Sequence, residues 1–405
     1  MSFRFHTGAL CAALILLVSA CDANQVRPDT TTLALAPRVQ AVTASMNAGG
    51  LPLLREVVAA NPRQNVALSP LSLQLALGMA WAGADGDTRE ELAGAVGLAP
   101  EGALDGEAFA ALLDYLPKAD PSTLLQSSQS VWADDGFTLH PDYETQLTTE
   151  FQASAYALDL QGPQAVPTIN DWIALHTNGM LKDVLQSIDA SARLMLVNTL
   201  LFEGVWTHQF DADQTRNRPF YRADGTTVDH PMMTQSVTIP FTYHRDAYVA
   251  ELPYGSGAAY TMLVAVPTTD LNGWIEQLTA EDLATLQAGF REQEVDVLLP
   301  RFTLETKQYL KAPLVALGVE QAFQPGVANF ARMSANGEEL FIGDVLQNVR
   351  LAVDERGTKA AAATVIDMRT TSLGPMLHAD RPFLVLIREK QSGVMLFAAA
   401  VYDPS

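Results

Sequence analysis

Apolar residues along the chain recur at two spacings, three to four residues and two residues, which are typical of helices and strands respectively. The helical spacing predicts five amphipathic helices, at Leu53–Val58, Leu71–Trp81, Glu90–Val96, Phe109–Leu116 and Ile169–Leu181. The strand-like runs are Leu194–Phe202, Val249–Leu252, Tyr260–Val266, Val295–Leu299, Arg350–Asp354, Phe383–Ile387 and Val394–Val401. Helices and strands are interspersed without an internal repeat, so the pattern predicts an α+β fold with helices behind a large sheet.

Two local signals refine this prediction. Ser69-Pro70 is a favourable helix start, because the serine side chain can cap the first turn and proline fits its first position. Asp87-Thr88 predicts the start of the third helix in the same way. The run Leu194–Phe202 is apolar on both faces except at Asn198 and Thr199, which predicts a central strand covered on both sides.

The first twenty residues have the form of an export signal. The start Met1–His6 precedes an apolar run, Gly8–Val18, that is too short to span a bilayer as a helix of the mature protein. After residue 40 no linker rich in Pro, Gly or Ser interrupts the chain. We therefore expect a signal peptide at 1–20, a flexible tether at 21–39 and one large domain at 40–405.

Both cysteines of the chain, Cys11 and Cys21, lie in this N-terminal part. The residues before Cys21, Leu17-Val18-Ser19-Ala20, resemble the lipobox of bacterial lipoproteins, in which the cysteine is lipidated and becomes the first residue after cleavage. The resemblance implies an exported protein, anchored to a membrane by lipid in the periplasm or at the cell surface. The alternative is ordinary cleavage and secretion, which would leave Cys21 as an unpaired thiol.

Charge and motifs exclude several functional classes. The chain has 46 Asp and Glu against 25 Lys and Arg, a formal net charge of −21, and no basic cluster, so nucleic acid is not an expected partner. No metal, nucleotide or nucleophile-elbow motif occurs, and the seven histidines are scattered from His6 to His378. We therefore expect no metal, no cofactor and no enzymatic activity.

The most informative segment is Asp354–Pro375, which permits two interpretations. Its alanines favour a short exposed helix or a flexible loop. Its alternation favours a strand instead, since Lys359, Asp367 and Arg369 fall on one face and small or apolar side chains on the other. Those side chains are Thr358, Ala360, Ala362, Thr364, Ile366 and Met368. No proline occurs from 355 to 373 and Gly357 supplies a hinge, so the segment can enter a sheet as a new strand.

Motifs that follow one another along the mature chain resemble those of serpins, the serine protease inhibitor family. They are Asn65–Ala84, Asp87-Thr88-Arg89, Ile169–Trp172, Leu196–Trp206, Leu299–Phe302, Leu317–Val319, Ala322-Phe323, Arg381–Leu384 and Gly393–Phe397. The resemblance implies a single serpin domain with three β-sheets, eight or nine helices and an exposed reactive-centre loop after Asp354. It also implies a suicide inhibitor of serine or cysteine proteases, whose loop is cleaved and then inserts into the main sheet.

By the same resemblance, the loop begins with a hinge and contains the reactive bond. The hinge residues are Glu355, Gly357, Thr358, Ala360, Ala361, Ala362, Ala363 and Thr364. Counts along the family's loop from Glu355 and from Pro382 both put the reactive bond between Thr371 and Ser372. A small residue there implies a target with a shallow primary pocket, of the elastase or subtilisin type. The alternative bond is Arg369-Thr370, which suits a trypsin-like enzyme.

Five further residues match positions that control opening of the family's main sheet. Ser69, Ser72 and Asn198 match the polar network called the shutter, where Gln347 replaces the usual histidine, so we expect different hydrogen bonding there. Trp206 matches the tryptophan of the breach, where insertion begins. The alternative interpretation is that these are simply satisfied core groups.

The resemblance implies a monomer whose partner is a covalently bound protease. The alternative is a non-inhibitory serpin that acts as a carrier or chaperone. Such members often carry bulky, charged or proline residues in the hinge, where this chain has only Lys359 on the polar face. Members activated by heparin-like polyanions carry basic residues in the region next to Pro117, where this chain has only Lys118. We therefore do not expect activation by polyanions.

Overall fold

The computed structural model describes residues 37–97, 105–343, 345–358 and 374–405, within a compact unit that spans residues 35–405. Its helices are α1 Pro37–Ala60, α2 Pro70–Gly83, α3 Gly86–Ala95, α4 Gly106–Tyr115, α5 Pro141–Glu150, α6 Ala165–His176, α7 Leu271–Gln277, α8 Ala280–Gly289 and α9 Lys311–Ala316. Its strands are β1 Val66–Leu68, β2 Leu124–Asp134, β3 Ala153–Leu158, β4 Leu194–Val205, β5 Arg216–Tyr221, β6 Thr227–His244, β7 Ala247–Tyr254, β8 Tyr260–Pro267, β9 Arg291–Pro300, β10 Phe302–Tyr309, β11 Leu346–Asp354, β12 Gly357–Thr358, β13 Met376–His378, β14 Phe383–Glu389 and β15 Met395–Val401. The α+β prediction is confirmed.

All five predicted helices form, and the start of α2 is capped as expected. The Ser69 side chain accepts a hydrogen bond from the Ser72 N–H at 3.2 Å, immediately before Pro70. The helix α3 begins earlier than predicted, because Thr88 does not cap it. The Thr88 hydroxyl instead accepts a hydrogen bond from the Asn329 N–H at 3.0 Å, inside the folded core.

Two boundaries differ from the sequence analysis. The helix α6 ends at His176 rather than near Leu181, because Asn178 and Gly179 have φ angles of 49° and 72°. That left-handed conformation stops a helix. At the other end of the chain, α1 begins at Pro37 and its Val39 is buried, so the described fold starts before residue 40.

The main sheet has six strands in the order β10-β11-β12-β4-β2-β3. Its strand β4 is covered on both faces, as the doubly apolar run predicted. Val197 packs in a cluster with Ile169 and Ile173 of α6 on one face, whereas Phe202 faces the large core on the other. The strand β4 thus lies in the interior of the sheet, between β12 and β2.

The second sheet has nine strands, with β1-β15-β14-β8-β7-β6-β9-β13 in sequence and β5 paired to β6. Its 18-residue strand β6 pairs with β5 near its start, with β9 along its middle and with β7 at its end. The strand β6 thereby joins β5, β9 and β13 on one side to β7, β8, β14, β15 and β1 on the other. The described strands therefore form two hydrogen-bonded sheets rather than the three expected. The ring of Phe202 joins the main sheet to this second sheet, 5.1 Å from Tyr254 and 5.5 Å from Tyr260 between centroids.

Candidate functional site: the hinge and the opening of the main sheet

The hinge of the loop enters the main sheet as the short strand β12. This strand pairs antiparallel with β11 on one side and with β4 on the other. In these two ladders Thr358 lies opposite Val353 and Gly204 respectively. The hinge therefore occupies the first two positions of a strand between β4 and β11.

Two glycines permit this entry. Gly357 has a φ of 145°, and a Cβ on it would lie 2.0 Å from the carbonyl oxygen of Gly204. A Cβ on Gly204 would lie 2.8 Å from the ring of Tyr254. A side chain at Gly357 would therefore force the backbones of β12 and β4 apart, whereas one at Gly204 would collide with the rings of Tyr254 and Phe202.

The Thr358 side chain is held by Tyr254, which stacks on Trp206. It is buried, and its hydroxyl lies 2.8 Å from the hydroxyl of Tyr254, whose pKa is raised by burial. The Tyr254 ring stacks on Trp206 with centroids 4.3 Å apart. The indole Nε1 of Trp206 in turn donates a hydrogen bond to the carbonyl oxygen of Asp354 at 2.9 Å. Trp206 therefore ties the hinge to the end of β11.

Glu355 anchors the turn between β11 and β12. Its buried carboxylate accepts hydrogen bonds from the Thr215 hydroxyl, at 2.7 Å, and from the guanidinium of Arg301. Its carbonyl oxygen accepts the N–H of Phe210 at 2.9 Å. Burial would raise the pKa of the Glu355 carboxyl, but the hydrogen bonds from Arg301 and Thr215 outweigh burial and hold its pKa below the ordinary value. The carboxylate is charged at neutral pH.

The four residues assigned to the shutter form one polar group beneath the main sheet. The side-chain amide of Gln347 accepts from the N–H of Ser69 and donates to the carbonyl oxygen of Ser69, both at 2.9 Å. The Ser72 hydroxyl donates to the side-chain oxygen of Asn198. Gln347 therefore bonds to the backbone of Ser69, the residue that caps α2. The buried Nδ2 of Asn198 has no hydrogen-bond partner within the described ranges.

Beyond the hinge, β4 and β11 are not paired with each other in the part of the chain that the structure describes. The core-facing residues of β4 reflect this separation. Phe202, near the hinge, is buried, whereas Leu200, Asn198 and Leu196 farther along are only half-buried. The two strand edges face each other inside the sheet, where backbone groups are normally paired.

Several predicted site residues lie outside the described residues, and their roles stay predictions. They are Cys21, Ala360, Ala361, Ala362, Ala363, Thr364, Arg369, Thr370, Thr371 and Ser372. The sequence analysis missed Tyr254, Arg301 and Thr215 as hinge contacts. Arg301 lies within a motif that supported the resemblance, which was a usable signal, but nothing in the local sequence marks the other two.

The described ranges contain no group of three His, Cys, Asp or Glu side chains that could hold a metal ion. In the same ranges, no helix combines the length and the apolar character needed to cross a membrane.

A family model described as Serpin (serine protease inhibitor) matches residues 44–404. The chain belongs to the serpin family. Iripin-8 of Ixodes ricinus is 32% identical over 368 residues, which cover 87% of this chain and 91% of that protein. The crystal structure of native protease nexin-1 with heparin matches with a TM-score of 0.80 and 27% identity, over 90% of this chain and 99% of that one.

Human thyroxine-binding globulin matches with a TM-score of 0.83 over 91% of this chain and 100% of that one, at 22% identity, which supports the fold alone. The predicted serpin fold is confirmed, with nine α-helices among the described residues.

Replacing the hinge carboxylate tests its role as an anchor. Glu355→Gln should lower the free energy of unfolding near neutral pH by about 1–3 kcal/mol, because the charge-assisted hydrogen bonds from Arg301 and Thr215 are lost. The folded-state pKa of Glu355 is depressed, so its stabilisation is present above the ordinary glutamate pKa of 4.5 and disappears as the pH falls through the folded-state value. Denaturant unfolding of both proteins at neutral and acid pH measures this.

The matched control is Glu305→Gln, whose side chain is 75% exposed and should have little effect at either pH. A stability difference between Glu355→Gln and wild type that persists undiminished in acid would contradict the anchor.

Proposed function

We propose that this serpin is an inhibitor that traps serine or cysteine proteases by inserting its cleaved loop into the main sheet. The observation that carries the proposal is strand β12, which already places Thr358 between β4 and β11. A loop that begins as a strand in an incomplete position can continue as one. The inserted strand is the natural partner for the facing edges of β4 and β11.

The two ladders define which residues would meet on insertion. If their register continues, Ala360 would lie between Phe202 and Leu351, and Ala362 between Leu200 and Val349. Ala360 and Ala362 are small, whereas the side chains of β4 and β11 on either side of them are larger. The alternation of the loop therefore suits the side of the sheet on which Thr358 is already buried.

In the same register, Thr364 would lie between Asn198 and Gln347, at the shutter. The Nδ2 of Asn198 is a buried donor without a partner among the described residues, and a threonine hydroxyl is an acceptor. Insertion would thus supply the missing partner. A buried donor left unpaired costs about 1–3 kcal/mol, so this contact favours the inserted state.

The chemistry belongs to the target protease, whose nucleophile attacks the carbonyl carbon of Thr371. The bond to the Ser372 nitrogen breaks, the amine leaves with a proton, and Thr371 stays bound to the enzyme as an ester or thioester. Insertion of the loop must then be faster than hydrolysis of that acyl-enzyme. Roughly ten new ladder hydrogen bonds at about 0.5–1.5 kcal/mol each are comparable with the stability of a whole domain, about 5–15 kcal/mol, and suffice to deform the attached protease.

Incubation with an elastase or a subtilisin, followed by denaturing gels and mass spectrometry of the released C-terminal peptide, tests the function and the bond together. We expect a covalent complex that survives denaturation and a peptide that begins at Ser372. A peptide that begins at Thr370 would move the reactive bond to Arg369 and the target to a trypsin-like enzyme. Metalloproteases, which form no acyl-enzyme, should cut the loop without being trapped. Simple clipping by every serine and cysteine protease, with no gain in thermal stability, would overturn the proposal.

A substitution at the first inserted position tests the mechanism. Thr358→Arg should abolish trapping and convert the protein into a substrate, because a charged side chain would have to enter the buried contact with Tyr254. Thr358→Ser keeps the hydroxyl and should retain trapping. The measurement is the ratio of covalent complex to cleaved protein at each protease concentration, with melting curves to check that both variants fold. Equal trapping by the two variants would contradict insertion.

A second candidate is a carrier that does not inhibit proteases. Thyroxine-binding globulin, whose structure is a complex with thyroxine, has the same fold. Against this candidate, the described part of the hinge contains no bulky, charged or proline residue at the two positions that enter the sheet, Gly357 and Thr358.

We further propose that the protein is an exported bacterial lipoprotein, lipidated at Cys21, as Leu17-Val18-Ser19-Ala20-Cys21 supports. Cys21→Ser should then move the protein from the membrane fraction to the soluble fraction, and the N-terminal peptide should lose its acyl mass. One or two acyl chains supply the anchoring free energy that this variant removes. Equal fractionation of wild type and variant would leave secretion as the better interpretation.

A further inference from the structure

A cavity of about 360 Å³ lies between the distal parts of β4 and β11, beneath the segment that follows α6. Slightly more than half of its accessible lining is apolar. Representative lining residues are Leu77, Ile173, Leu185, Leu196, Ile342 and Leu346. A cavity of this size, lined by both aliphatic and polar groups, is within the range of sites that bind small organic molecules.

Polar residues from the segment after α6, from β4 and from the β10–β11 ladder also line this space, and those of the ladder include a cation. Lys307 and Asn348 lie directly opposite each other in the β10–β11 ladder, so their side chains share one face of the sheet, and both line the cavity. The ammonium of Lys307 lies 5.4 Å from the ring centroid of Tyr309, which also lines the cavity. A cation and an amide side by side at an apolar cavity favour an anion with an attached apolar body.

One acidic residue, Asp189, also contributes to the lining. Its carboxylate is already engaged, since it accepts hydrogen bonds from the N–H of Ser191, at 2.7 Å, and from the Ser191 hydroxyl. Lys311 lies close enough to depress the pKa of Asp189 further. The lining therefore carries one cation, Lys307, and one carboxylate that is already hydrogen-bonded, so Lys307 is the charged group placed to meet an anionic ligand.

We propose that this cavity binds an anionic amphiphile, a medium-chain alkyl carboxylate, with the carboxylate on Lys307 and Asn348. The alkyl chain lies between β4 and β11, against Leu196 and Leu346. Burial of the alkyl chain supplies affinity, and the lysine and amide pair supplies orientation.

The position of the cavity gives such a ligand a regulatory consequence, which rests on the proposed function. In the register set by β12, Ile366 would lie between Leu196 and Val345, and both of these residues line the cavity. Ligand and inserting loop therefore compete for one space. The bound ligand stops insertion partway, so the target protease hydrolyses the acyl bond and the serpin is spent as a substrate.

Binding is tested first on the intact protein without any protease. Calorimetry with dodecanoate, and its displacement of the anionic dye anilinonaphthalene sulfonate, should give one site per chain. Ala76→Phe projects a ring from α2 into the cavity and should weaken dodecanoate binding at least about tenfold. Lys307→Gln is an exposed change that spares the core and should weaken it about fivefold at low ionic strength.

The matched control is Lys118→Gln, an exposed lysine outside the cavity lining, which should leave dodecanoate affinity unchanged. Absence of binding, or equal affinity in wild type, Ala76→Phe and Lys307→Gln, would overturn the site. These outcomes do not depend on protease inhibition.

The competition step is tested separately by adding saturating dodecanoate to the trapping reaction. The fraction of covalent complex should fall and that of cleaved serpin should rise, and Lys307→Gln should need more dodecanoate for the same effect. If dodecanoate binds but the ratio of covalent complex to cleaved serpin does not change, the competition is refuted and the binding site stands. A protein that binds dodecanoate but never traps a protease would instead refute the proposed function alone.

Discussion

The structure depends on one incomplete position in the main sheet. The strands β4 and β11 both pair with β12, and in the described residues only Gly357 and Thr358 lie between them. Elsewhere along it, two strand edges face each other in the interior of a sheet, where paired backbone groups are the rule. The free energy that insertion would release therefore resides in β4 and β11 as much as in the loop.

Three contacts hold the chain at the entrance to this position, and each limits a different freedom. Gly357 allows the backbones of β12 and β4 to approach, Thr358 fixes the depth through Tyr254, and Glu355 fixes the turn through Arg301. Small changes in the position of the hinge therefore affect the whole inserted strand, because every later residue pair takes its register from the first pair.

The sequence predicted those features that local pattern determines. The doubly apolar run identified β4 and Ser69-Pro70 identified the start of α2, whereas of the strand predicted after Asp354 the described residues contain only Gly357 and Thr358 in β12. The hinge contacts could not be predicted in this way, because Thr358 and Tyr254 are 104 residues apart and meet only through the packing of the two sheets. The end of α6 also escaped prediction, since the left-handed Asn178 leaves little trace in apolar periodicity.

The two ends of the loop belong to different sheets. Beyond the loop, β13 runs parallel to β9 in the second sheet, and the Asp296 N–H donates to the carbonyl oxygen of Pro375 at 3.0 Å. On the proposed mechanism, that end would stay in place when the bond is cut. On the proposed mechanism the other end travels down the main sheet, and about thirteen extended residues at about 3.3 Å each carry Thr371 some 40 Å from Ser372. The molecule would thereby convert the scission of one peptide bond into the transport of a whole enzyme from one pole to the other.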